Sequence, residues 1–566
     1  MTRSRFTATL LALSGTAALV AGCGSSGSDS GSSSSDSGKT IVAGDTSGIK
    51  KGGTLTANDA AFPDYLDPAL AYTADGWDSL WSAYTPLLTY KHASGEEGAK
   101  VVPGLAEDMP TISADGLTYK LKLRSGLLYS DGSTVKASDF KHTIQRVLNL
   151  ESGGASFYEG IVGAKAYEKA GKSSGDIPGI VTDDATGEIT IKLEAKDPQF
   201  TYKLAMDFAG LVPGDTPFQN ETKNPPPAAG AYMVTKVTTG QGWSLVRNPH
   251  FKALPNVPEA YADEIDFTVV KNARRSATDI VNNNLDYQYD PNGPDTLQIL
   301  RTGAKGRYLE KQSNSVYYEF LNTKLPPFNN LQARQAVNYA IDKRAIARLF
   351  GGLLTPTCNF LPPGVVGFKK LDPCPYGDPN AAPNLQKAID LVKQSGTAGQ
   401  AVTVWGDDKE PSPQVTNYFA DVLDKIGYKA KVKVIDAGDY FSTVGNATTK
   451  SQIGFADWFQ DFPHPADFLF LVDSKSIQPT NNQNFSNVDD PKLDAMIAKA
   501  NAANDPAESA DQYAAIDKYI ADNGYEASYG NRINPGAFSS RIAVDKIVYH
   551  PVYDYDPTTI GLKAGQ

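Results

Sequence analysis

The residues best suited to chemistry form one short segment, Asp457-Trp458-Phe459-Gln460-Asp461, which leads into Pro463-His464-Pro465. Carboxylates normally lie on solvated faces, but an acid flanked by Trp and Phe just before a proline indicates a pocket rim. Such a carboxylate can accept charge-assisted hydrogen bonds from an ammonium group, while the aromatic faces add cation–π attraction. The segment therefore predicts a receptor for a small organic cation. The alternative interpretation is a buried tryptophan beside an ordinary loop aspartate.

Motifs for enzymatic chemistry are incomplete. Ser-x-x-Lys occurs at Ser133–Lys136 and Ser138–Lys141, but no Ser-Asp-Asn or Lys-Thr-Gly companion follows. The sequence has no Gly-x-Ser-x-Gly elbow, His-Glu-x-x-His pair or phosphate loop. The chain has 5 His residues, and none lies at metal-ligand spacing from another His or a Cys. We therefore expect a binding protein without metal or cofactor, not an enzyme.

Composition restricts the class further. A chain of 566 residues is too long for one core and suits two or three lobes. Its hydrophobic content of 41% is typical of a globular protein, and its net charge is −11. An acidic protein lacks the basic surface that phosphate binding needs, which argues against a nucleic-acid partner.

The N-terminus reads as a targeting segment. A basic start precedes an apolar run from Phe6 to Val20, which predicts a signal peptide over residues 1–22. Val20-Ala21-Gly22-Cys23 resembles the lipobox of bacterial lipoproteins, which implies cleavage before Cys23 and lipidation of its thiol. The alternative is a soluble secreted protein with an incidental cysteine. Residues 23–50 are rich in Gly and Ser, so we expect a flexible tether that holds a folded body at the outer face of the cytoplasmic membrane.

Hydrophobic periodicity gives the elements that must position the acidic segment. Trp77 to Tyr84 predicts a helix with an aromatic face, and strict alternation over Leu117 to Arg124 predicts a half-buried strand. Ser138 is expected to cap the helix that follows. The tail, Ala543 to Tyr555, is strand-like.

A second set of elements precedes and follows the acidic segment. Ala401 to Trp405 and Lys429 to Ile435 read as strands around a helix ended by Gly427. A strand–helix–strand order of this length predicts a parallel βαβ unit. Asp490-Pro491 and Asp505-Pro506 are each expected to begin a helix.

Several motifs together resemble one family. The sequence contains Asp115-Gly116, Leu123-Arg124-Ser125-Gly126, Ser130-Asp131-Gly132, Ala137-Ser138-Asp139-Phe140 with Arg146, Ala229-Gly230-Ala231-Tyr232, Leu245-Val246-Arg247-Asn248-Pro249, Phe320-Leu321-Asn322-Thr323 and Pro326-Pro327-Phe328. In these segments the chain resembles the extracytoplasmic solute-binding proteins, family 5, that serve oligopeptide and dipeptide ABC importers. The resemblance implies an α/β, two-lobed periplasmic-binding-protein-like fold (type II, large cluster C-like) with an extra subdomain in the first lobe.

The resemblance also implies domain limits and partners. The first lobe would combine 51–80, 196–310 and 537–566, the extra subdomain would span 81–195, and the second lobe 311–536. Crossings at Ser313–Ser315 and Asn534–Gly536 would act as hinges. The partners would be a short peptide and a membrane permease, and we expect a monomer. The same fold with another solute (sugar, opine or metal chelate), a secreted hydrolase and a signalling receptor remain as alternatives.

For the site, Trp458-Phe459-Gln460-Asp461 resembles the family's "GW-x-x-D" segment. The resemblance implies that Asp461 anchors the α-ammonium of a bound peptide and that Trp458 forms a pocket wall with Phe459 beside it. Asp457 replaces the family's glycine, which leaves open which carboxylate faces the ligand. The peptide carboxylate needs a cation, for which Lys450, Arg274 and Arg275 are candidates.

Cys358 and Cys374 are the cysteines that remain beyond the signal peptide and Cys23. Outside the cytoplasm we expect them to form a disulfide. It would close a Pro/Gly-rich loop, Thr355 to Pro379, that lacks helical or strand periodicity.

Overall fold

The structure is a computed structural model, and it describes residues 40–171, 175–503 and 505–565. The predicted signal peptide, Cys23 and the first part of the tether lie outside the described residues. The predicted tether extends too far, because residues from Ile41 onward are packed on the body. The Ile41 amide donates to the Ser94 hydroxyl (2.8 Å), Val42 forms a bridge with Ala93, and Ile49 pairs with Lys563.

The strands are β1 Ile49–Lys50, β2 Thr54–Asp59, β3 Leu88–Tyr90, β4 Val101–Pro103, β5 Thr111–Ile112, β6 Thr118–Lys122, β7 Ile180–Asp183, β8 Glu188–Lys192, β9 Tyr232–Thr238, β10 Gly242–Arg247, β11 Glu264–Val269, β12 Tyr287–Tyr289, β13 Tyr308–Gln312, β14 Ser315–Leu321, β15 Leu354–Pro356, β16 Ala401–Asp407, β17 Lys429–Ile435, β18 Ile453–Phe459, β19 Glu526–Phe538, β20 Tyr549–His550, β21 Asp554–Tyr555 and β22 Leu562–Lys563.

The α-helices are α1 Ala74–Trp81, α2 Ala137–Asn149, α3 Ala164–Ala170, α4 Phe200–Lys203, α5 Ala273–Val281, α6 Pro294–Gly303, α7 Leu331–Ala340, α8 Lys343–Leu349, α9 Leu385–Gln394, α10 Ser412–Ile426, α11 Ala437–Val444, α12 Pro465–Leu469, α13 Pro491–Ala500 and α14 Ala510–Asn523.

One mixed sheet runs through the protein in the order β17-β16-β18-β14-β19-β12-β2-β11-β10-β9, with β13 and β15 also pairing with β19. The predicted βαβ unit is confirmed, because β16 and β17 are parallel neighbours joined by α10. β18 then lies parallel to β16 and antiparallel to β14. The long strand β19 pairs with β14 in its first half and with β12 in its last residues. A single strand therefore joins the two halves of the sheet.

Two large hydrophobic clusters flank this junction. The first contains residues of β2, β9 to β11, α1 and α2, together with the four-stranded sheet β5-β6-β8-β7. The second contains residues of β14, β16, β18, α7, α10 and α14. β19 contributes Tyr529 to the second cluster and Phe538 to the first. The two clusters therefore meet along the sheet at β19.

The start of α2 differs from the prediction. Ser138 does not cap the helix, because α2 begins at Ala137 and the capping position is Lys136. The Lys136 amide donates to the Asp139 carboxylate (2.8 Å), and the Ser138 hydroxyl donates to Asp184 instead (2.9 Å). The acid at the third helical position accepts the amide of the capping residue, and its own amide donates to the Lys136 carbonyl at 3.2 Å, so both amides are satisfied without a serine cap.

A buried ion pair ties α2 to the turn after β2. Arg146 donates from Nη1 and Nη2 to the two oxygens of Asp67 at 3.0 and 2.8 Å, and both side chains are almost fully buried. The remaining donors of Arg146 reach the Pro217 and Gln219 carbonyls, while Asp67 also accepts from the Ala69 and Glu221 amides. Both charged side chains of this ion pair therefore have several hydrogen-bond partners.

The tail is less regular than predicted. Between Ala543 and Tyr555 it forms a 3₁₀ turn and the two-residue strands β20 and β21. Pro551 lies between these strands and cannot donate to a ladder. Tyr553 and Tyr555 nevertheless belong to the first cluster, so the tail is held by its rings more than by strand pairing. The Asp505-Pro506 start is a 3₁₀ turn, Pro506–Ser509, that leads into α14, whereas Asp490 caps α13 as predicted.

Candidate functional site

A cavity of about 230 Å³ opens between the two clusters. Its walls come from the loop after β2 and α1, from the ends of β14, β16 and β18, and from β19. The aromatic residues among them include Phe62, Tyr65, Tyr72, Trp77, Tyr289, Tyr317, Phe455, Trp458 and Phe459. The cavity therefore combines large apolar walls with polar groups, as ligand sites do.

The charged groups of the lining are predominantly acidic. The carboxylates are Asp64, Asp75, Asp78, Asp290, Asp407, Glu410, Asp457, Asp461 and Asp554. The described lining cations are Lys409 and Arg532. A cleft lined by one sign of charge in low-dielectric walls attracts ligands of the opposite sign. No group of His, Cys, Asp and Glu within the described residues is arranged to hold a metal ion.

Asp461 is positioned by the end of β18 and the start of α12. Its amide donates to the Asp467 carboxylate (3.0 Å), which fixes the turn, and His464 caps α12 by accepting from the Ala466 amide. Asp461 Oδ2 accepts a hydrogen bond at 3.0 Å from the hydroxyl of Tyr72, which lies just before α1. The Asp461 side chain is buried but lines the cavity.

Burial raises the pKa of the Asp461 carboxyl well above its usual value, and the Tyr72 hydroxyl is the group that opposes this rise. Burial also raises the pKa of Asp467, and the charge of Asp461 adds to the effect. No cation contributes to either pKa in the described part of the chain. An incoming ammonium group would therefore supply the charge that this pair of acids lacks.

Aromatic rings enclose this carboxylate. The Trp458 ring contacts Tyr72 edge-on at 5.5 Å between centroids, and Tyr72 stacks on Trp77 at 5.6 Å. Phe459 lies edge-on to Tyr317 at 6.0 Å. Trp458 and Phe459 both line the cavity, as Asp461 does. The arrangement can hold a cation between a carboxylate and ring faces.

Asp457 lines the same cavity. It lies opposite Tyr317 in the ladder between β18 and β14, and alternation along β18 places it on the face of Phe455 and Phe459. Burial raises the pKa of Asp457 to about 7, with a further contribution from the charge of Asp407. Burial likewise raises the pKa of Asp407 to about 6. Both carboxylates of the predicted segment are thus brought to one cavity.

The predicted cations are not at the cavity. Arg274 lies 3.6 Å from Asp295 and Arg275 lies 3.8 Å from Asp279, both on an exposed surface, and Lys450 is exposed. The cations that do line it are Lys409, on the loop after β16, and Arg532, on β19. Lys409 could have been found from its place after a parallel strand, since ligands bind at the carboxyl ends of such strands.

Both lining cations already have acidic partners. Lys409 Nζ lies 3.8 Å from Asp59 and 3.6 Å from Asp290, and Arg532 Nη2 donates to Asp290 at 2.7 Å. Arg532 is almost fully buried, and its Nε and Nη1 have no hydrogen-bond partner among the described residues. The excess of negative charge in the cavity therefore lies with the remaining acids, including Asp461.

The two cysteines lie away from the cavity. Cys358 and Cys374 form a disulfide with a Cα–Cα distance of 6.2 Å. The irregular loop that they close is anchored by Asn359, which donates to Asp517 at 2.7 Å.

Within the described residues, no helix combines the length and the apolar character needed to cross a bilayer.

Comparison with known proteins places this geometry in context. A family model for bacterial extracellular solute-binding proteins, family 5 Middle, matches residues 100–480. The glutathione-binding protein GsiB of Salmonella typhi is 26% identical over 445 residues, covering 74% of this chain and 78% of that protein. GsiB of Escherichia coli O1:K1 is 25% identical over 426 residues, covering 72% and 77%.

Solved structures match over nearly the whole chain. The periplasmic binding protein DppA of Helicobacter pylori, in complex with peptide STSA, has a TM-score of 0.76 at 21% identity and covers 91% of this chain and 99% of its own. The murein tripeptide binding protein MppA of Escherichia coli has a TM-score of 0.77 at 19% identity, with the same coverage. These matches confirm the predicted two-lobed periplasmic-binding-protein-like fold.

Proposed function

Since this chain belongs to the bacterial extracellular solute-binding proteins of family 5, we propose that it captures short peptides in its cavity and delivers them to the membrane permease of an ABC importer. The observation that carries the proposal is the Asp461 carboxylate, which is buried, lines the cavity and is held by Tyr72 without a cation. In this proposal the peptide is released chemically unchanged.

Asp461 would bind the amino terminus of the peptide. A free α-ammonium can donate charge-assisted hydrogen bonds to the carboxylate, and the rings of Trp458 and Tyr72 would contribute cation–π attraction. Such a bond is roughly twice as strong as a neutral one. Phe459 and Asp457 would line the path of the peptide chain. The site would select for a free amino end before it selects for any side chain.

The rest of the peptide would be held with little sequence preference. An extended peptide can pair its main chain with protein backbone, and any sequence offers the same donors and acceptors. Water in the cavity can accommodate side chains of different shape. The two charged ends of the peptide would then determine most of the affinity, and its side chains would change it only modestly.

Ligand capture would couple to movement of the lobes. We place the first lobe at 51–80, 196–310 and 537–566, the extra subdomain at 81–195 and the second lobe at 311–536. The hinges would lie at 313–315 and 534–536, where β19 passes between the two clusters. A peptide that contacts both lobes favours the closed state, because it binds that state better than the open one. The permease would recognise the closed form.

A member of this family acts outside the cytoplasm. We propose further that a lipid on Cys23 holds the protein at the outer face of the membrane and that a short tether separates the lipid from the body. The protein would act as a monomer, since each chain contains a complete cavity.

Glutathione is less well suited to this cavity, although two relatives are named for it. Glutathione carries two carboxylates, and the lining acids would repel them. The lining cations Lys409 and Arg532 are already paired with Asp290. A peptide with one carboxylate and a free amino group fits the charge of the lining better.

Isothermal titration calorimetry tests the proposal directly. Tri-alanine and its N-acetylated form differ only in the positive charge that Asp461 would bind. We expect tri-alanine to bind at least about 100-fold more tightly, because the blocked peptide leaves a buried carboxylate without its partner charge. Equal affinities for the two peptides, or no binding of unblocked peptides of any length from two to eight residues, would overturn the proposal.

A further inference from the structure

A second carboxylate of the cavity, Asp78, is hydrogen-bonded by the Tyr289 side chain but leaves one oxygen without a partner in the described part of the chain. Asp78 lies in the middle of α1 and is only 6% exposed, yet it lines the cavity. Its Oδ2 has no hydrogen-bond partner among the described residues. A buried, unpaired carboxylate is costly, and buried charges are normally paired or hydrogen-bonded. Such a group at a cavity wall is suited to receive a donor from a ligand.

Asp554 reinforces the negative charge at this position. It lies on β21, lines the cavity, and both of its carboxylate oxygens accept from Asn534 Nδ2 at 2.7 Å. Burial raises the pKa of the Asp78 carboxyl well above its usual value, and the charge of Asp554 is the next largest cause. Burial also raises the pKa of Asp554, to about 7. A cation bound between them would stabilise the ionised form of both acids.

Among the protein's own cations, Arg532 acts on Asp554, where its charge opposes the rise in pKa, but not on Asp78. Lys409 and Arg532, which line the same cavity, are engaged by Asp290. The charges that act on the Asp78 pKa are those of Asp554, Asp75 and Asp207, and all three are negative. A positive charge beside Asp78 would therefore have to come from the ligand.

Asp78 and Asp461 line the same cavity, so one ligand with two positive groups can contact both. Tyr72 donates to Asp461 through its hydroxyl and stacks on Trp77, the neighbour of Asp78 in α1. The two carboxylates are therefore joined through one aromatic pair along the cavity wall. A flexible alkyl chain can pass over these rings while its charged end reaches the acid.

We propose that Asp78, together with Asp554, forms a second cation subsite that binds the basic side chain, lysine or arginine, of a peptide whose amino terminus is held at Asp461. This inference rests on the proposed function and adds to it a preference for peptides that carry a basic side chain. The ammonium or guanidinium group donates to the Asp78 carboxylate, and the side chain's methylenes contact the aromatic wall.

The test compares lysine with norleucine, which has a side chain of similar length without the charge. Tripeptides that carry lysine or norleucine at each position in turn, with alanine elsewhere, are titrated calorimetrically into the wild type, Asp78→Asn and Asp554→Asn. In the wild type we expect the best lysine peptide to bind at least about tenfold more tightly than its norleucine partner, as for a hydrogen bond to a charged group. In Asp78→Asn this ratio should fall to about one, while the norleucine peptides bind as before.

The possible failures are distinguishable. Equal affinities of lysine and norleucine peptides for the wild type would overturn the second subsite and leave the proposed function intact. A lysine preference that survives in both variants would also overturn it, because the preference would then arise elsewhere. Failure of every unblocked peptide to bind would overturn the proposed function and this inference with it. Thermal unfolding of each variant verifies that it is folded, and the Asp554→Asn variant repeats the test if Asp78→Asn is not.

Discussion

Two buried aspartates of this protein have opposite surroundings. Asp67, beneath α2, is bound through both oxygens by Arg146 and receives backbone amides as well. Asp461, at the cavity, accepts one hydrogen bond from Tyr72 and has no cation beside it in the described residues. Both carboxylates are taken out of water, but only the first is neutralised by the fold.

The difference in partners indicates a structural role for Asp67 and a binding role for Asp461. A fully partnered ion pair in a core is connected to the fold on all sides, and its removal damages folding. An acid left without its counter-charge at a cavity wall destabilises the empty protein, and in the proposed function the ligand supplies that charge. Substitutions at each of these two aspartates test the difference.

Asp67→Asn should give the largest effect. The change leaves the Arg146 guanidinium buried without its charge, and we expect the free energy of unfolding to fall by about 3–5 kcal/mol. Urea denaturation followed by circular dichroism measures this loss. Peptide affinity of the protein that remains folded should be unchanged. A loss below about 1 kcal/mol would mean that the pair is not the structural anchor described here.

Asp461→Asn should show the reverse pattern. We expect the affinity for an unblocked peptide to fall roughly 100-fold or more, because a buried ammonium loses its partner charge. The free energy of unfolding of the empty protein should stay the same or rise, since the variant removes an unpaired buried acid. Calorimetry and urea denaturation on one preparation give both values. A stable variant with normal affinity would place the amino-terminal site elsewhere.

The raised pKa values of Asp407 and Asp457, which line the cavity, predict that the stability of the protein depends on pH. The pKa of Asp407 is raised to about 6 and that of Asp457 to about 7, so the folded empty protein holds protons that the unfolded chain releases near pH 4. Stability should therefore fall as pH rises from about 4 to 7, with Asp407 contributing about 3 kcal/mol at most. Melting temperatures across this range measure it, and the dependence should weaken in Asp407→Asn. A stability that rises steadily over this range would contradict these assignments.

Glu319→Met should give the smallest effect. Glu319 lies in β14 within the second cluster, and neither carboxylate oxygen has a partner among the described residues. Replacing it by an apolar side chain of similar length removes an unsatisfied buried group, so we expect the free energy of unfolding to rise by about 1–2 kcal/mol. Urea denaturation tests this, with unchanged peptide affinity as the control. A destabilised variant would show that Glu319 has a structural role.

The sequence was sufficient for features that local patterns determine. Alternation and turn residues predicted β6 and the βαβ unit, and the acidic segment with its aromatic neighbours predicted residues that line the cavity. The motifs also carried the family. These features depend on residues within about thirty positions of each other.

Features that depend on distant contacts could not be predicted. Tyr72 meets Asp461 across 389 positions, and the only sequence signal for it was an aromatic residue before a helix. Arg532 lies in a long buried strand, where its pairing with Asp290 depends on the order of strands in the sheet. Asp78 looked like an ordinary polar position of α1, because its contacts with the distant Tyr289 and Asp554 cannot be read from its sequence neighbours. The prediction that Lys450, Arg274 or Arg275 lies at the cavity was wrong for the same reason.

The most direct measurement is a crystal structure of the protein with an unblocked peptide bound. We expect the peptide's α-ammonium to lie about 2.7–2.9 Å from an Asp461 carboxylate oxygen, the usual length of a charge-assisted hydrogen bond. The account is contradicted if the amino end lies far from Asp461, or if the Asp461 carboxylate faces bulk solvent in the complex.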